Sequence, residues 1–251
     1  MSDVGSDTIK RYGILNTVAM EATGPNAKDP ALAEDIRTFV SVVGPNARVA
    51  GIAFPGTFIL DRNGRVQSRF FEDFYVERNT TASIMARLGS GQSAAGTKIS
   101  SGQLDITTYP SDPAVAPGNR FTVILDIVPH RGMHVYAPGA SNYRVVALTL
   151  EPQPFVRVLP VKYPASQIYF FKPLNERVPV YDKPFTLLQE IVLEGSPQAQ
   201  AALRGREMLT VKGTLQYQAC DATICFNPAE VPLSWTLTLR PLVVERPVRQ
   251  P

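Results

Sequence analysis

"YQACDATICFNP" (residues 217–228) holds both cysteines of the chain, Cys220 and Cys225, with four residues between them. The stretch that leads into it, "MLTVKGTLQYQAC" (208–220), alternates in polarity. Leu209, Val211, Leu215, Tyr217 and Ala219 form an apolar row, while Thr210, Lys212, Thr214, Gln216, Gln218 and Cys220 form the other. Successive side chains of a strand point to opposite faces, so a regular strand turns Cys220 away from the core, toward solvent or a covering loop. The stretch that follows repeats the alternation. In "VPLSWTLTLR" (231–240), Val231, Leu233, Trp235, Leu237 and Leu239 face one way, and Ser234, Thr236, Thr238 and Arg240 the other. Two such strands flanking a short connection belong to a sheet with one buried face.

Upstream, the same texture extends back to about residue 104. Strands are expected at 120–129, 133–138, 143–151, 155–163 and 183–194, separated by Pro, Gly and Asn. Short strands with regular turn signals read as an antiparallel sandwich of immunoglobulin-like type. Residues 89–103, "GSGQSAAGTKISSGQ", carry no apolar periodicity and read as a flexible linker. Before it the pattern mixes helix and strand. Residues 29–44 predict a helix with Asp29 as N-cap, Pro30 in its first turn, an apolar stripe of Leu32, Ile36, Phe39, Val40 and Val43, and Gly44 as its stop. Residues 57–71 predict a β-hairpin around "DRNG", and Asn79 is expected to cap a last helix ending at Gly89. The expected organisation is therefore α+β and multidomain: a mixed segment over 1–88, the linker at 89–103, an all-β sandwich over 104–242 and a tail at 243–251.

Composition narrows the function classes. The 44% hydrophobic content suffices for packed cores, and the 19% charged content is too low for a disordered chain. A formal net charge of +3 with scattered basic residues gives no stripe for nucleic acid. No apolar run approaches the roughly 20 residues that span a bilayer, so membrane insertion is not expected. The opening "MSDVGSDTIKRYG" lacks the apolar region of a signal peptide, so the chain as written reads as cytoplasmic. A fragment of an exported protein would instead be periplasmic or otherwise extracytoplasmic.

Three readings of the cysteine pair stand open. As a staple it closes a ring of about six residues, for which loop entropy gives only about 2 kcal/mol, and the chain would then be a non-catalytic β-sandwich binding module with a structural disulfide. As a zinc site it would join His130 and His134 of "HRGMHVY" in a Cys2His2 set, although the two pairs lie far apart in sequence. As a redox pair it has the tight spacing that thiol–disulfide exchange needs, one thiol attacking and its neighbour resolving.

The stretch "LTVKGTLQYQACDATICFNPAEVPLSWTL" resembles the N-terminal domain of the bacterial thiol:disulfide interchange protein DsbD and related disulfide-corrector domains. The upstream "GMHVYAPG" (132–139) is similar to that family's Gly-aromatic strand, and "VPVYDKPF" (178–185) lies where the family has a loop capping its active site. The resemblance implies an immunoglobulin-like fold in which Cys220 and Cys225 are the exchanging pair. It places the aromatic cluster around the sulfurs on Tyr136 and Tyr181. His134 shares a strand face with Tyr136 and is expected near the sulfurs, where it would favour a thiolate. No cofactor is implied, because the cysteines carry the electrons. The partner implied is a thioredoxin-like or redoxin protein, acting as electron donor or acceptor.

"DTIKRYGIL" (7–15) and the run "GIAFPGTFILDRNGRVQSRFFEDFYVERNTTASIMARL" (51–88) resemble the C-terminal half of a peroxiredoxin-like redoxin of the thioredoxin fold. Pro55 would then be the cis-proline before a central strand. The cysteine-bearing half of that fold is absent, and no cysteine precedes Cys220, so this segment is not expected to perform redoxin chemistry. A half-fold leaves strand edges and apolar faces unpaired. Limited proteolysis is expected to cut residues 1–88 before the 105–240 region; the reverse order would contradict a truncated first segment.

Overall fold

The alternating rows of the second half of the chain become facing sheets. The computed structural model describes residue 5 and residues 7–15, 53, 56–71, 77–90, 96–171 and 175–242. The chain divides into two units, Met1–Asn79 and Thr80–Pro251. In the first unit the described elements are α1 (Asp7–Arg11), β1 (Gly56–Leu60), β2 (Val66–Phe71) and β3 (Arg78–Asn79). The second unit has α2 (Thr81–Arg87), β4 (Thr97–Ser100), β5 (Leu104–Pro110), β6 (Ala114–Val115), β7 (Asn119–Pro129), β8 (His134–Tyr136) and β9 (Ala147–Leu150). It continues with β10 (Val156–Val158), β11 (Gln167–Phe171), β12 (Glu176–Tyr181), β13 (Phe185–Leu193), α3 (Pro197–Leu203), β14 (Met208–Tyr217), β15 (Ala219–Cys220) and β16 (Ala229–Leu239).

In the first unit the "DRNG" hairpin forms as expected, β1 pairing antiparallel with β2. Asp61 Oδ1 accepts from the N–H groups of Asn63 and Arg65, both at 2.8 Å, and Gly64 supplies the positive φ of 77° that closes the turn. The expected helix at 29–44 and the expected cis-proline Pro55 lie outside the described residues.

In the second unit one sheet runs in the order β10-β13-β7-β5-β4 and another in the order β6-β16-β14-β9. Pairing is antiparallel except for the short parallel contact of β6 with β16. The apolar rows of both sheets meet in one core. Phe121, Leu125, Ile127, Leu187 and Ile191 come from the first sheet, and Leu209, Val211, Leu215, Val231, Leu233, Trp235 and Leu237 from the second. The five inward residues read from β16 are all buried, and its outward ones all exposed. The Trp235 indole N–H crosses between the sheets to the Thr108 hydroxyl at 2.8 Å, so the one polar atom of this buried ring is satisfied. Gly213 lets β9 come close to β14: a Cβ there would lie 2.7 Å from the Thr149 carbonyl oxygen. This is a mostly β architecture, compatible with the immunoglobulin-like sandwich, with the two short helices α2 and α3 added to it. A third, smaller sheet in the order β11-β12-β8-β15 carries Cys220.

Several expected boundaries move. Residues 97–100 of the expected linker are strand β4, paired with β5. Its pattern is almost wholly exposed, which is why no apolar alternation marked it. Thr80, not Asn79, caps α2: Thr80 is extended and its Oγ1 accepts from Ser83 N at 3.1 Å. The helix packs on β7, where the Ser83 and Thr122 hydroxyls bond at 2.7 Å, so it belongs to the second unit rather than closing the first. Residues 178–185, expected as a loop, are mostly strand β12 followed by a tight turn into β13. The expected strand 208–220 is broken at Gln218, and α3, which begins on the Ser196 cap and Pro197, was not anticipated.

Glu190 of β13 anchors α2 to the sheet. Its side chain is 1% exposed, and its carboxylate meets Arg87 Nη1 at 2.9 Å, Arg120 Nε at 2.8 Å and the Lys162 ammonium. Burial pushes this carboxyl up, but the hydrogen bond from Lys162 and the charges of Arg120 and Arg87 outweigh it and hold it below the usual carboxylate range. Replacing Glu190 with Gln leaves three cations around a neutral buried amide and is expected to cost about 3 kcal/mol of stability in urea unfolding. The folded-state pKa lies below the unfolded value. The contribution is therefore complete above about pH 4.3 and is lost as pH falls through the lower folded value. The acid sensitivity should be weaker in E190Q than in the parent.

Candidate functional site

At Gln218 the chain leaves the β14 ladder for the third sheet. The Gln218 side chain holds this crossing on both sides: its Oε1 accepts from Arg144 N at 3.1 Å and its Nε2 donates to Phe226 O at 3.1 Å. Beyond it, β15 pairs with β8, setting Ala219 opposite Val135 and Cys220 opposite His134. On the other side of β8, Tyr136 lies opposite Val180 and Val135 opposite Tyr181. One strand further out, Tyr169 lies opposite Val178.

Period-two alternation then sorts every side chain. Val135, Tyr181 and Ala219 join the main core, while Tyr136, Val178, Val180 and Cys220 form a second buried cluster with Tyr143, Val145 and Tyr169 against it. Cys220 thus lies off the core row, as its alternation implied, yet it is 1% exposed because the second cluster covers it.

Cys220 and Cys225 are joined by a disulfide, their Cα atoms 4.1 Å apart. The two ends differ. Cys220 is buried, whereas Cys225 is exposed, next to an Ile224 that is 59% exposed. The Tyr136 hydroxyl is 3.0 Å from Cys220 Sγ and 3.5 Å from Cys225 Sγ. Bonded sulfurs carry no hydrogen, so the phenol donates. Tyr136 stacks on Tyr143 with centroids 3.9 Å apart, and the Tyr143 hydroxyl donates to Glu176 Oε2 at 2.7 Å. Burial pushes the Tyr136 phenol well above its ordinary value, reinforced by Tyr143, Glu176 and Tyr169, so it stays a donor at any physiological pH.

His134 stacks on Tyr169 at 4.4 Å and meets Tyr136 edge-on at 5.7 Å. Burial lowers its pKa, and the nearby charges of Asp182 and Asp221 offset this only in part. Hydrogen bonds from the Thr223 and Ile224 backbone hold the Asp221 carboxyl below the usual range. Cys220, Cys225, His134 and Tyr136 therefore come together, with Phe171, Val178 and Thr223 completing the hollow beside the sulfurs.

Tyr181 does not join them. It is stacked on Phe185 at 4.2 Å in the main core, its hydroxyl donating to Pro164 O at 2.9 Å. The aromatic cover over the sulfurs comes instead from Tyr143 and Tyr169, which sequence reasoning missed. No local signal singled out Tyr169: "QIYFF" has no polar alternation, and its Ile168 and Phe170 are exposed. The Cys2His2 set is not assembled: both cysteines are bonded to each other, and the His130 imidazole lies 3.2 Å from Asp105 Oδ1. Among the described residues no three metal-ligating side chains gather.

The family model described as "Thiol:disulfide interchange protein DsbD, N-terminal" matches residues 107–232, half of the chain and both cysteines. The chain belongs to this family. Among solved structures it is similar to the N-terminal periplasmic domain of ScsB from Proteus mirabilis, with 12% identity and a TM-score of 0.41, over 57% of this chain and 51% of that one. It thus spans about half the length of that relative. It is also similar to the GAE domain of GGA2p from Saccharomyces cerevisiae, with 15% identity and a TM-score of 0.30, over 57% of this chain and 97% of that one. Among curated proteins no match was found.

The His134 environment gives a pH prediction. In the oxidised protein its NMR titration should have a midpoint below about 6.5. Because its folded-state pKa lies below the unfolded value, burying the neutral ring costs nothing above that pH. The fold loses stability as pH falls from the unfolded value toward the folded one. His134→Gln should remove this component of the acid profile, and an unchanged profile would count against the buried neutral imidazole.

Proposed function

We propose that this member of the DsbD N-terminal family exchanges thiols and disulfides through Cys220 and Cys225, with a thioredoxin-like or redoxin protein as electron donor or acceptor. The observation that carries the reading is the inequality of the two sulfurs, one exposed at Cys225 and one buried at Cys220 under a hydroxyl donor.

In the reducing direction a partner thiolate attacks Cys225 Sγ. A partner–Cys225 bond forms, the Cys225–Cys220 bond breaks, and its electron pair leaves on Cys220. The leaving thiolate accepts a hydrogen bond from Tyr136, already 3.0 Å from that sulfur. The partner's second thiolate then attacks the partner's own sulfur, which forms the partner disulfide and releases Cys225. Two electrons have passed to this chain, and both thiols take their protons from solvent. His134, held between Tyr169 and Tyr136, lies beside the thiolate, whose charge favours its protonation. No organic cofactor enters, since both electrons stay on sulfur.

The family match supports this reading. The position of the bond disfavours a purely structural role. It lies outside the two-sheet core, which closes without it, and a ring this small contributes only about 2 kcal/mol. Exchange through this pair fits an oxidising, extracytoplasmic compartment, where the disulfide form persists.

Equilibration against glutathione buffers, read by alkylation and mass, tests the function. A midpoint between about −270 and −120 mV is expected, and a pair still oxidised below about −300 mV would make it a staple. Single replacements test the direction of attack. Cys220→Ser should accumulate mixed disulfides through Cys225, whereas Cys225→Ser should trap few. Full exchange in both variants would overturn the relay.

A further inference from the structure

The loop between the cysteines is organised around a single carboxylate oxygen. Asp221 Oδ1 accepts from Thr223 N at 2.6 Å, Ile224 N at 2.7 Å and the Thr223 hydroxyl at 2.9 Å. Around this centre Asp221 N donates to Ile224 O and Phe226 N donates to Ala219 O, both at 2.9 Å. None of these bonds involves sulfur, so breaking the disulfide removes none of them. In the closed loop the two cysteine backbones are tied on both sides of the turn, by the Asp221 bonds at its tip and by the Phe226–Ala219 bond at its base.

We infer that Asp221 is the positioning residue of the redox pair: its carboxylate keeps the open loop in the closed loop's shape, so that the two reduced thiols stay within reach of each other. The inference deepens the exchange reading proposed above and gives it a thermodynamic setting. On re-oxidation one cysteine carries the mixed disulfide with a partner sulfur. The other, as a thiolate, attacks the first cysteine's sulfur; the intramolecular S–S bond forms and the partner leaves with the electron pair. The ease of that closure is the effective concentration of one thiol at the other, which pre-organisation raises. A floppy loop would lose conformational entropy at each closure, and the Asp221 bonds have already fixed it in the folded chain. Asp221 therefore biases the couple toward the disulfide.

The carboxylate also carries a negative charge one residue from Cys220, and that charge disfavours a thiolate there. Geometry and charge are separable, because Asn makes the same side-chain-to-backbone turn as Asp without the charge. The test is the glutathione midpoint of the full chain and of its Asp221→Ala, Asp221→Asn and Asp221→Ser variants at one pH, with near-UV circular dichroism of both redox forms as the folding check. Asp221→Ala is expected to lower the closure constant about tenfold, which moves the midpoint about 30 mV more positive for a two-electron couple. Asp221→Asn should stay within about threefold of the parent, and Asp221→Ser, with a shorter acceptor, should fall between. If the Ala variant does not fold, the Ser and Asn variants still decide.

A parent-like midpoint in Asp221→Ala, or in Asp221→Ser where the Ala variant is unfolded, would overturn the inference. So would a shift in Asp221→Asn as large as the one in the shorter variants, because charge would then be the cause. The exchange reading is judged separately, on the absolute midpoint of the parent. A parent oxidised below about −300 mV would sink that reading while leaving the difference between variants measurable.

Discussion

The pairing of Cys220 with His134 across β15 and β8 is the constraint on which the site depends. A strand has two faces and no third option, so one register sets the direction of every side chain in the small sheet. With Cys220 opposite His134 and Tyr136 opposite Val180, the sulfur, the imidazole and the phenol share one side. Val135, Ala219 and Tyr181 must then face the sandwich core. A slip of one residue would send the cysteine into the core and the core residues to the sulfur side. The register is held where it can be held cheaply, by the burial of Val135, Ala219 and Tyr181 on the side where chemistry is not needed.

This arrangement separates stability from reactivity. The main core is filled chiefly from the two larger sheets, with Val135, Tyr181 and Ala219 added from the third, and contains neither cysteine. Helix α2 is fastened independently, by Glu190 with its cations and by the Ser83–Thr122 bond. The second cluster is small and consists of little more than three tyrosine rings, three valines, an alanine and one sulfur. A bond that opens and closes there changes few packing contacts, which is what a reversible couple requires of its scaffold. A disulfide buried in the main core would instead tie each reduction to the repacking of close-fitting side chains.

Much of this was legible in the sequence, and the rest was hidden for physical reasons. The rows of β14 and β16 were readable because each strand has one wet and one dry face. The direction of Cys220 followed from the same period, but its burial did not. Its cover comes from β11 and from Tyr143, distant in the chain, and only the tertiary fold brings them there. Tyr181 was misplaced because its parity relative to Tyr136 depends on the β12–β8 register, which no local pattern encodes. Strand β4 reads as linker because an edge strand exposed on nearly all its length needs no apolar residues. Asp221 stands at the start of the short connection between the two cysteines, where an Asp side chain can bond the backbone two residues on. Its importance appears only once three donors are seen converging on one oxygen.

The inequality of the two sulfurs bears on selectivity. A disulfide can be attacked at either end, and the leaving group is the sulfur that is not attacked. An exposed Cys225 and a covered Cys220 allow one geometry of approach. That approach always expels the sulfur to which a donor is already aimed. The phenol is well suited to this task because its burial keeps its proton on, so it donates without competing as a charge. A charged donor in the same place would stabilise the thiolate more strongly and make the reduced form more favourable. The Asp221 loop acts in the opposite sense, favouring closure. On the proposed exchange, a leaving group that is helped to depart and a loop that keeps its return short act in opposite senses on the couple.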